Sequence, residues 1–334
     1  MNLIPNGYKP RMSTRDTEKA IKFVKDAFQR NFVKNFGFER VSAPLFVKSG
    51  TGINDDLNGV ERPVKFDVPA LGGVQAEIIH SLAKWKRIAL KRYGFRSGEG
   101  IYTDMNAIRS DDKCDNQHSI YVDQWDWEMV IAKEQRNPDF LKMVVMRIVG
   151  AIVDTLDQTK VQFPCIDLIL KRNVTFITTE QALERYPELE AHERERALAK
   201  EYGTVFLMNI GGALSNGKPH DGRAPDYDDW KLNGDIIFYD EVLDDSIEIS
   251  SMGIRVDGES LKAQLEIAGA EDRLSHEYHQ QVISGELPLT IGGGIGQSRL
   301  CMLLLQKAHI GEVQVSLWSD ETRTKFEEAG IYLL

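Results

Sequence analysis

At 334 residues, with 42% of them hydrophobic and 28% charged, the chain can bury one large core or two modest ones. Its formal net charge of −10 gives no electrostatic footprint for wrapping nucleic acid, so a dedicated nucleic-acid binder is not expected. The three widely spaced cysteines include no CxxC pair and predict neither a disulfide framework nor a zinc site, which fits a reducing compartment.

Targeting and membrane segments are not predicted. The first residues, MNLIPNGYKPRMST, lack the apolar core of a signal peptide. The most apolar stretch, 143–153, is interrupted by Arg147 and is too short to span a bilayer. We therefore expect a cytoplasmic protein without a membrane partner.

Hydrophobic periodicity predicts an opening helix that begins at the capping residues 13–16 and ends at Gly37. Further helices are predicted over 82–93, 141–156, 190–202, 261–268, 272–284 and 298–306. Strands are predicted over 41–47, 100–108, 119–128, 204–210, 235–239, 246–252 and 288–291. Because the strands come in blocks with short connections, we expect an α+β fold, a mostly antiparallel β-sheet flanked by helices, in a single domain spanning residues 1–334.

A glycine-rich stretch, 292–299 (GGGIGQSR), is predicted as a loop between a short strand and an apolar helix. Its backbone N–H groups, that of Gly294 among them, could receive an anion or a nucleotide. It is not a Walker loop, and Gln297 occupies the third glycine position of a dinucleotide fingerprint. A tight structural turn is the alternative, but Arg299, which can contact a phosphate or stack on a base, favours a functional interpretation.

The segment 121–128 (YVDQWDWE) alternates between two kinds of side chain. On a strand, Gln124, Asp126 and Glu128 would share one face, and Trp125 and Trp127 would share the other. An edge strand with a solvated face is one interpretation. Hydrogen-bonding groups backed by tryptophans favour the other, the floor of a polar cleft.

Asp235 and Glu248 flank the predicted turn 240–245, and a simple hairpin would place them across from each other. Two facing carboxylates repel unless a cation lies between them. A Mg²⁺ ion that carries triphosphate oxygens would relieve this repulsion. The alternative is that both acids are exposed at the ends of the hairpin.

Other charged sets are unspecific by themselves. The helix cations of the segment 80–87 (HSLAKWKR) are expected to be surface charges, and His276 and His279 are expected to face solvent. The acid-rich segments 55–56 and 226–229 carry no motif alone. No Ser/His/Asp order or metal-binding histidine spacing competes with these sets.

Together these stretches resemble the asparagine synthetase A family, the ammonia-dependent aspartate–ammonia ligases. The resemblance is carried, in chain order, by HSLAKWKR (80–87), SGEGIYTDMNAIR (97–109), YVDQWDWE (121–128), RAPDYDDW (223–230), LNGDI (232–236), SSMGIRVD (250–257), EDRL (271–274) and IGGGIGQSRLCMLLLQ (291–306). It covers essentially the whole chain, and several stretches are too long to agree by chance.

The family is similar in fold to the catalytic domain of class II aminoacyl-tRNA synthetases, which implies a homodimer. The stretch ending in Arg109 resembles the motif whose arginine grips the α-phosphate and the reacting carboxylate. The stretch ending in Arg299 resembles the motif whose arginine lies against the nucleotide. The resemblance also implies that Asp235 and Glu248 hold nucleotide and Mg²⁺, in agreement with the hairpin argument.

The resemblance implies that L-asparagine is made from L-aspartate, ATP and ammonia through a β-aspartyl-adenylate, with release of pyrophosphate and AMP. It implies that Asp126 and Asp228 hold the α-ammonium group of aspartate. Ser81 and Lys86 would hold the α-carboxylate.

The remaining implied roles concern the reacting groups. Arg109 and Gln124 would orient the side-chain carboxyl of aspartate, and Ser251 would border both aspartate and nucleotide. Asp55 would capture ammonium and take its proton, because ammonium must lose a proton before it can attack.

Free ammonia is the expected nitrogen donor, because glutamine-dependent synthetases use an amino-terminal cysteine and residue 2 is Asn2. The main alternative is a paralogue that charges or binds tRNA, but no segment is predicted to form an anticodon-binding module. A non-catalytic nucleotide-binding relative is a second alternative, and the joint presence of Arg109, Gln124 and Arg299 argues against it.

Overall fold

The computed structural model describes residues 3–54 and 61–334. Its elements, in chain order, are α1 (Thr14–Phe36), β1 (Glu39–Arg40), β2 (Phe46–Lys48), β3 (Lys65–Val68), β4 (Val74–Ile78), α2 (Ala83–Tyr93), β5 (Gly100–Ile108), β6 (Tyr121–Val130), α3 (Pro138–Gln162), β7 (Thr175–Thr178), α4 (Thr179–Arg185), α5 (Ala191–Tyr202), β8 (Thr204–Met208), β9 (Asp228–Asp240), β10 (Asp245–Arg255), α6 (Gly258–Ala268), α7 (Glu277–Ile283), β11 (Thr290–Gly296), α8 (Gln297–Leu304) and α9 (Asp320–Glu328). Short 3₁₀ turns connect some of them.

An eight-stranded sheet in the order β1-β5-β6-β11-β10-β9-β8-β7 organises the molecule, and β2, β4 and β3 form a separate three-stranded sheet. The inner strands of the large sheet, from β5 to β8, pair antiparallel. At its two edges, β1 and β7 run parallel to their neighbours β5 and β8. The predicted α+β class is therefore confirmed, but the sheet is mixed rather than purely antiparallel.

One face of the large sheet is covered by α1, α3 and α8, which bury an apolar core against it. Helix α1 begins where the Ser13 hydroxyl accepts the Asp16 N–H and ends at Gly37 in the left-handed conformation. Its phenylalanines pack on the tryptophans of β6, with the rings of Phe28 and Trp125 4.5 Å apart. The predicted division of β6 into an aromatic and a polar face is confirmed, because Trp125 and Trp127 are fully buried.

The opposite face carries α2 over β6 and β11, and α5 over β8, β9 and β10. These two helices cover the two ends of the face. Between these two helices, a cavity opens over parts of β6, β11 and β10.

The glycine-rich stretch is not the loop that the sequence analysis predicts. Residues Thr290–Gly296 form strand β11, and α8 starts directly after it at Gln297. The glycines are needed because neighbouring strands fill the space above them. A Cβ atom on Gly292 would lie 1.9 Å from the Glu128 Oε2 atom, and one on Gly294 would lie 2.3 Å from the Gln124 Oε1 atom.

Other element boundaries agree with the sequence to different degrees. Strand β5 matches its predicted bounds, and α2 begins one residue later than predicted. The predicted helix 272–284 is divided into a 3₁₀ turn, Glu271–Ser275, and α7. The predicted strand 41–47 is replaced by the short strands β1 and β2. Among the described residues, no helix is long and apolar enough to cross a membrane.

Replacement of Phe32 by Ala tests the aromatic core. Phe32 is 1% exposed and contacts Phe28, Phe38 and Trp127. We expect Phe32→Ala to lower the free energy of unfolding by about 3–5 kcal/mol, because it removes a large buried ring and leaves a cavity. Urea denaturation monitors the change. Val161→Ala, at a side chain that is 83% exposed, should shift it by no more than about 0.5 kcal/mol.

Candidate active site

A cavity of about 520 Å³ opens on the middle of the sheet, within the size range of small-molecule sites. Its floor is formed by β6, β11 and β10, and one wall by the start of α2. The loop 109–120 and the loop 209–227, which precede β6 and β9 respectively, contribute the rest. Side chains from distant parts of the chain thus converge on one polar space.

Most of the predicted site residues line this cavity. They are Ser81, Lys86, Arg109, Gln124, Asp126, Asp228, Glu248, Ser251, Gly294 and Arg299. Asp55 lies outside the described residues. Asp235 does not line the cavity: it is 8% exposed and hydrogen-bonded to Arg223, which does line it.

Lys86 is buried at the cavity floor. Its ammonium group pairs with Asp126, donates to the Gly293 carbonyl over 3.1 Å and lies 3.8 Å from the Glu128 carboxylate. The prediction that the helix cations of α2 are surface charges is therefore wrong. Lys84, Lys86 and Arg87 are at most 3% exposed, because acids and carbonyls from distant strands and loops pair with them.

Arg255 is a buried site residue whose role the sequence analysis missed. Its guanidinium binds Glu128 through Nη2 at 2.7 Å and Nε at 3.0 Å, and it also pairs with Asp228. Burial alone would raise the pKa of Glu128, but the charge of Arg255 holds that pKa below its ordinary value. A lone arginine between Ile254 and Val256 on an apolar strand was the signal that could have found it.

The charges of the floor do not balance. Among the five charged side chains of the floor, the carboxylates of Asp126, Glu128 and Asp228 outnumber the cations Lys86 and Arg255 by one. The Asp126 Oδ2 atom is buried and has no hydrogen-bond partner among the described residues. A buried carboxylate oxygen without a partner is costly, so this position suits a cationic group of a ligand.

Two more arginines reach the cavity from its walls. Arg109 donates to the His80 carbonyl over 3.2 Å, and its Nε atom is buried without a partner among the described residues. Arg299 donates to the Glu248 carbonyl over 3.0 Å and to the Gln117 carbonyl over 3.3 Å, and lies 3.4 Å from the Glu248 carboxylate. Such guanidinium groups suit phosphate or carboxylate oxygens.

The predicted hairpin pairing of Asp235 with Glu248 is wrong. Glu248 lies opposite Ile237 because the strands pair Asp240 with Asp245 at the turn and keep that register up to Glu248. A bulge between Glu248 and Ser250 then places Asp235 opposite Ser251. The two acids are instead diagonal neighbours on one face of the sheet. They still interact, since burial first and then the charge of Glu248 raise the pKa of Asp235.

His279 also contradicts its prediction. It is fully buried, and its Nε2 atom lies 3.1 Å from the Asp226 carboxylate. Lys84 lies 2.7 Å from the same carboxylate. Asp226 therefore contacts both α2 and α7. These contacts fix the backbone two residues before Asp228, whose side chain lies at the cavity floor.

A Mg²⁺ ion is compatible with the acids on this face. No group of three or more His, Cys, Asp or Glu side chains that could hold a metal occurs within residues 3–54 and 61–334. Asp235 and Glu248, with the Ser251 hydroxyl beside them, supply two carboxylates. Mg²⁺ is commonly held in this way, by one or two carboxylates together with the phosphates of a substrate.

Solved structures of low sequence identity share the fold. Asparaginyl-tRNA synthetase from Entamoeba histolytica in complex with asparaginyl-adenylate matches with a TM-score of 0.65 and 16% identity, over 90% of this chain and 66% of that one. The Pyrococcus horikoshii enzyme, also complexed with asparaginyl-adenylate, matches with a TM-score of 0.65 and 16% identity, over 91% and 70%. The fold is thus that of the class II aminoacyl-tRNA synthetases.

Closer relatives define the family. The model of the aspartate–ammonia ligase family matches residues 15–330. The aspartate–ammonia ligases of Clostridium perfringens and Levilactobacillus brevis are both 56% identical, over 331 and 332 residues; each alignment covers 99% of this chain, and 98% and 99% of those proteins. The chain therefore belongs to the aspartate–ammonia ligase family and is a ligase.

Replacement of Arg255 by Met tests the buried ion network. We expect Arg255→Met to reduce the free energy of unfolding by about 3–5 kcal/mol, because Glu128 and Asp228 lose their common partner. Urea denaturation measures the loss, and adding Glu128→Gln should restore part of it by removing one unpaired charge. Arg172→Met is the matched control, since the Arg172–Asp154 pair is about half exposed and should contribute about 0–1 kcal/mol.

Proposed function

We propose that this protein synthesises L-asparagine from L-aspartate, ammonia and ATP through a β-aspartyl-adenylate, releasing AMP and pyrophosphate. The family supports the overall reaction. The observation that carries the proposal is the cavity floor, where three carboxylates meet two cations and one Asp126 oxygen has no partner among the described residues. The same cavity is lined by Arg109 and Arg299. This arrangement suits an amino acid at one end and a nucleotide phosphate at the other.

The amino acid would bind at the floor. Its positively charged α-ammonium group would bind between the carboxylates of Asp126 and Asp228. Lys86, already paired with Asp126, and the nearby Ser81 would hold the α-carboxylate. Because Arg255 and Lys86 hold both aspartates in place, the binding groups are ordered before substrate arrives, which lowers the entropic cost of binding.

The reacting carboxylate would lie between Arg109 and Gln124. The side-chain carboxylate of aspartate attacks the α-phosphorus of ATP, the bond to the β-phosphate oxygen breaks, and pyrophosphate leaves. Arg109 would offset charge that builds on the α-phosphate, the kind of preorganised electrostatic stabilisation that dominates phosphoryl and nucleotidyl transfer. Arg109 lines the cavity, and its buried Nε atom has no hydrogen-bond partner among the described residues.

The nucleotide would lie along β10 and β11. Arg299 would rest against it, Ser251 would border it, and Gly294 would let it approach the backbone beside Gln124. Asp235 and Glu248 would hold Mg²⁺, which neutralises phosphate charge when bound. Asparaginyl-adenylate is bound in the Entamoeba and Pyrococcus structures, which share the fold of this chain. This supports an adenylate intermediate here.

Ammonia would attack the β-carbonyl of the adenylate, and the carbonyl–phosphate bond would break with AMP as the leaving group. Asp55 is proposed to capture ammonium and take its proton, on the resemblance alone. We further propose that residues 1–334 form a single catalytic domain, and that the protein acts as a homodimer in the cytoplasm, without a nucleic-acid partner.

The reaction is tested with purified protein, ATP, Mg²⁺, aspartate and ammonium, with glutamine replacing ammonium as the control. We expect asparagine and AMP in equal amounts from ammonium and little asparagine from glutamine. Pyrophosphate exchange with aspartate but no asparagine would point to another acceptor of the adenylate, and tRNA charging would be assayed next. No exchange and no product would refute the proposal.

Replacement of Arg109 by Lys tests its role at the reacting carboxylate. The change keeps the charge but removes the planar fork of donors, so we expect kcat for pyrophosphate exchange to fall about 10²–10³-fold. Arg62→Lys is the matched control, because Arg62 is 82% exposed and pairs with Asp111 on the surface. Equal kcat values for Arg109→Lys and wild type would show that the Arg109 guanidinium does not stabilise the transition state.

A further inference from the structure

Arg223 is a cavity residue to which neither the sequence analysis nor the proposed function gives a role. It lies in the loop 209–227, and its Nη2 atom donates to the Asp235 carboxylate over 2.7 Å. Its Nη1 atom donates to the Ser251 hydroxyl. The Arg223 side chain is only 11% exposed, although the preceding residues Asp221 and Gly222 are exposed. An arginine from a surface loop thus reaches into the site.

The two acids that would hold a metal are both paired with arginines. Arg223 pairs with Asp235, and Arg299 pairs with Glu248. Because Arg223 lines the cavity and Asp235 does not, the guanidinium separates that carboxylate from the open space. A divalent cation that approaches from the cavity therefore meets a positive charge and a carboxylate that is already neutralised.

The two arginines differ in the element that carries them and in the groups that they contact. Arg299 follows β11 on α8 and donates to the carbonyls of Gln117 and Glu248 as well as to the Glu248 carboxylate. Arg223 donates to the Asp235 and Ser251 side chains, and its buried Nε atom has no partner among the described residues. Because Arg223 lies on a loop and not on a helix or strand, it is the arginine that can turn away from its carboxylate when another anion competes for it.

We propose that Arg223 is the resident countercation of Asp235 in the nucleotide-free protein, so that a divalent metal binds together with the nucleotide and not before it. The phosphate oxygens of the nucleotide are the competing anion, since a guanidinium binds phosphate through two parallel hydrogen bonds. When Arg223 turns to the phosphates, Asp235 becomes available to the metal and each charge keeps a partner. This inference rests on the proposed function for the two metal ligands and adds the order of binding.

The test is Mn²⁺ binding to nucleotide-free protein, read from the electron paramagnetic resonance signal of free Mn²⁺. Wild type should bind Mn²⁺ weakly at this site, and Arg223→Gln should bind one Mn²⁺ about tenfold tighter, within the usual range of coupling between two ligands. The double variant Arg223→Gln/Asp235→Asn should lose the gain. If Arg223→Gln binds no tighter than wild type, the proposal is overturned.

Arg136→Gln is the matched control. Arg136 is also a largely buried arginine between two acids, Asp229 and Asp257, but it does not line the cavity. Its replacement should leave Mn²⁺ binding unchanged. An equal gain in this control would show that any unpaired buried acids attract the metal, and would overturn the proposal.

Two further readouts keep the test decisive. If Arg223→Gln fails to fold by circular dichroism, Arg223→Met replaces it and must still bind Mn²⁺ more tightly than wild type, because it also removes the positive charge beside Asp235. A gain in Mn²⁺ affinity in the variant, without asparagine synthesis by the wild type, would support the role of Arg223 as countercation and contradict the proposed function. Asparagine synthesis by the wild type, without any gain in Mn²⁺ affinity in the variant, would support the proposed function and overturn the role of Arg223 as countercation.

Discussion

Five charged side chains, Lys86, Asp126, Glu128, Asp228 and Arg255, are buried side by side on one face of the central sheet, and the architecture of the site depends on their pairing. A buried charge is tolerated only when partners and hydrogen bonds compensate its lost hydration. The acids and cations come from α2, β6, β9 and β10, so each element must lie in register with the others. The Thr290 hydroxyl, 2.7 Å from Glu128, extends the same network to β11.

Strand β11 makes this arrangement possible because four of its seven residues are glycines. It lies between β6 and β10, and its glycines leave room for Glu128, Gln124 and Arg255 above the sheet. A side chain at Gly292 would collide with both the Glu128 carboxylate and the Arg255 guanidinium. A glycine strand in the middle of a sheet is unfavourable by itself, and here the ion network and the cavity above it explain the glycines.

The other face of the same strands supplies rigidity. Trp125 and Trp127 alternate with Gln124 and Asp126 along β6, so each polar group of the cavity floor is followed by a ring fixed in the core. The phenylalanines of α1 pack against these rings. Close packing on one face therefore restricts the positions of the functional groups on the other, as preorganised sites require.

The charge of the site differs between its floor and its nucleotide side. The floor keeps one negative charge in excess, whereas Asp235 and Glu248 are each matched by an arginine. The floor is thus ready for a cationic group, and the nucleotide side must first rearrange.

The sequence by itself determined the local features: the capped opening helix, the bounds of β5, the two-faced character of β6, and the motifs that resemble a family. These features depend on neighbours along the chain, and side-chain period and capping report them directly. Only the tertiary structure decided which charges are buried and with what partners. Arg255 meets Glu128 across 127 residues, and Lys86 meets Gly293 across 207.

The local sequence pattern could not predict such pairs. Lys84, Lys86 and His279 were therefore expected at the surface, and no role was predicted for Arg255 or Arg223. The bulge in β10 and the strand at 290–296 were hidden for the same reason. A bulge or a glycine strand is selected by what neighbouring strands place beside it, and a single stretch of sequence does not contain that information.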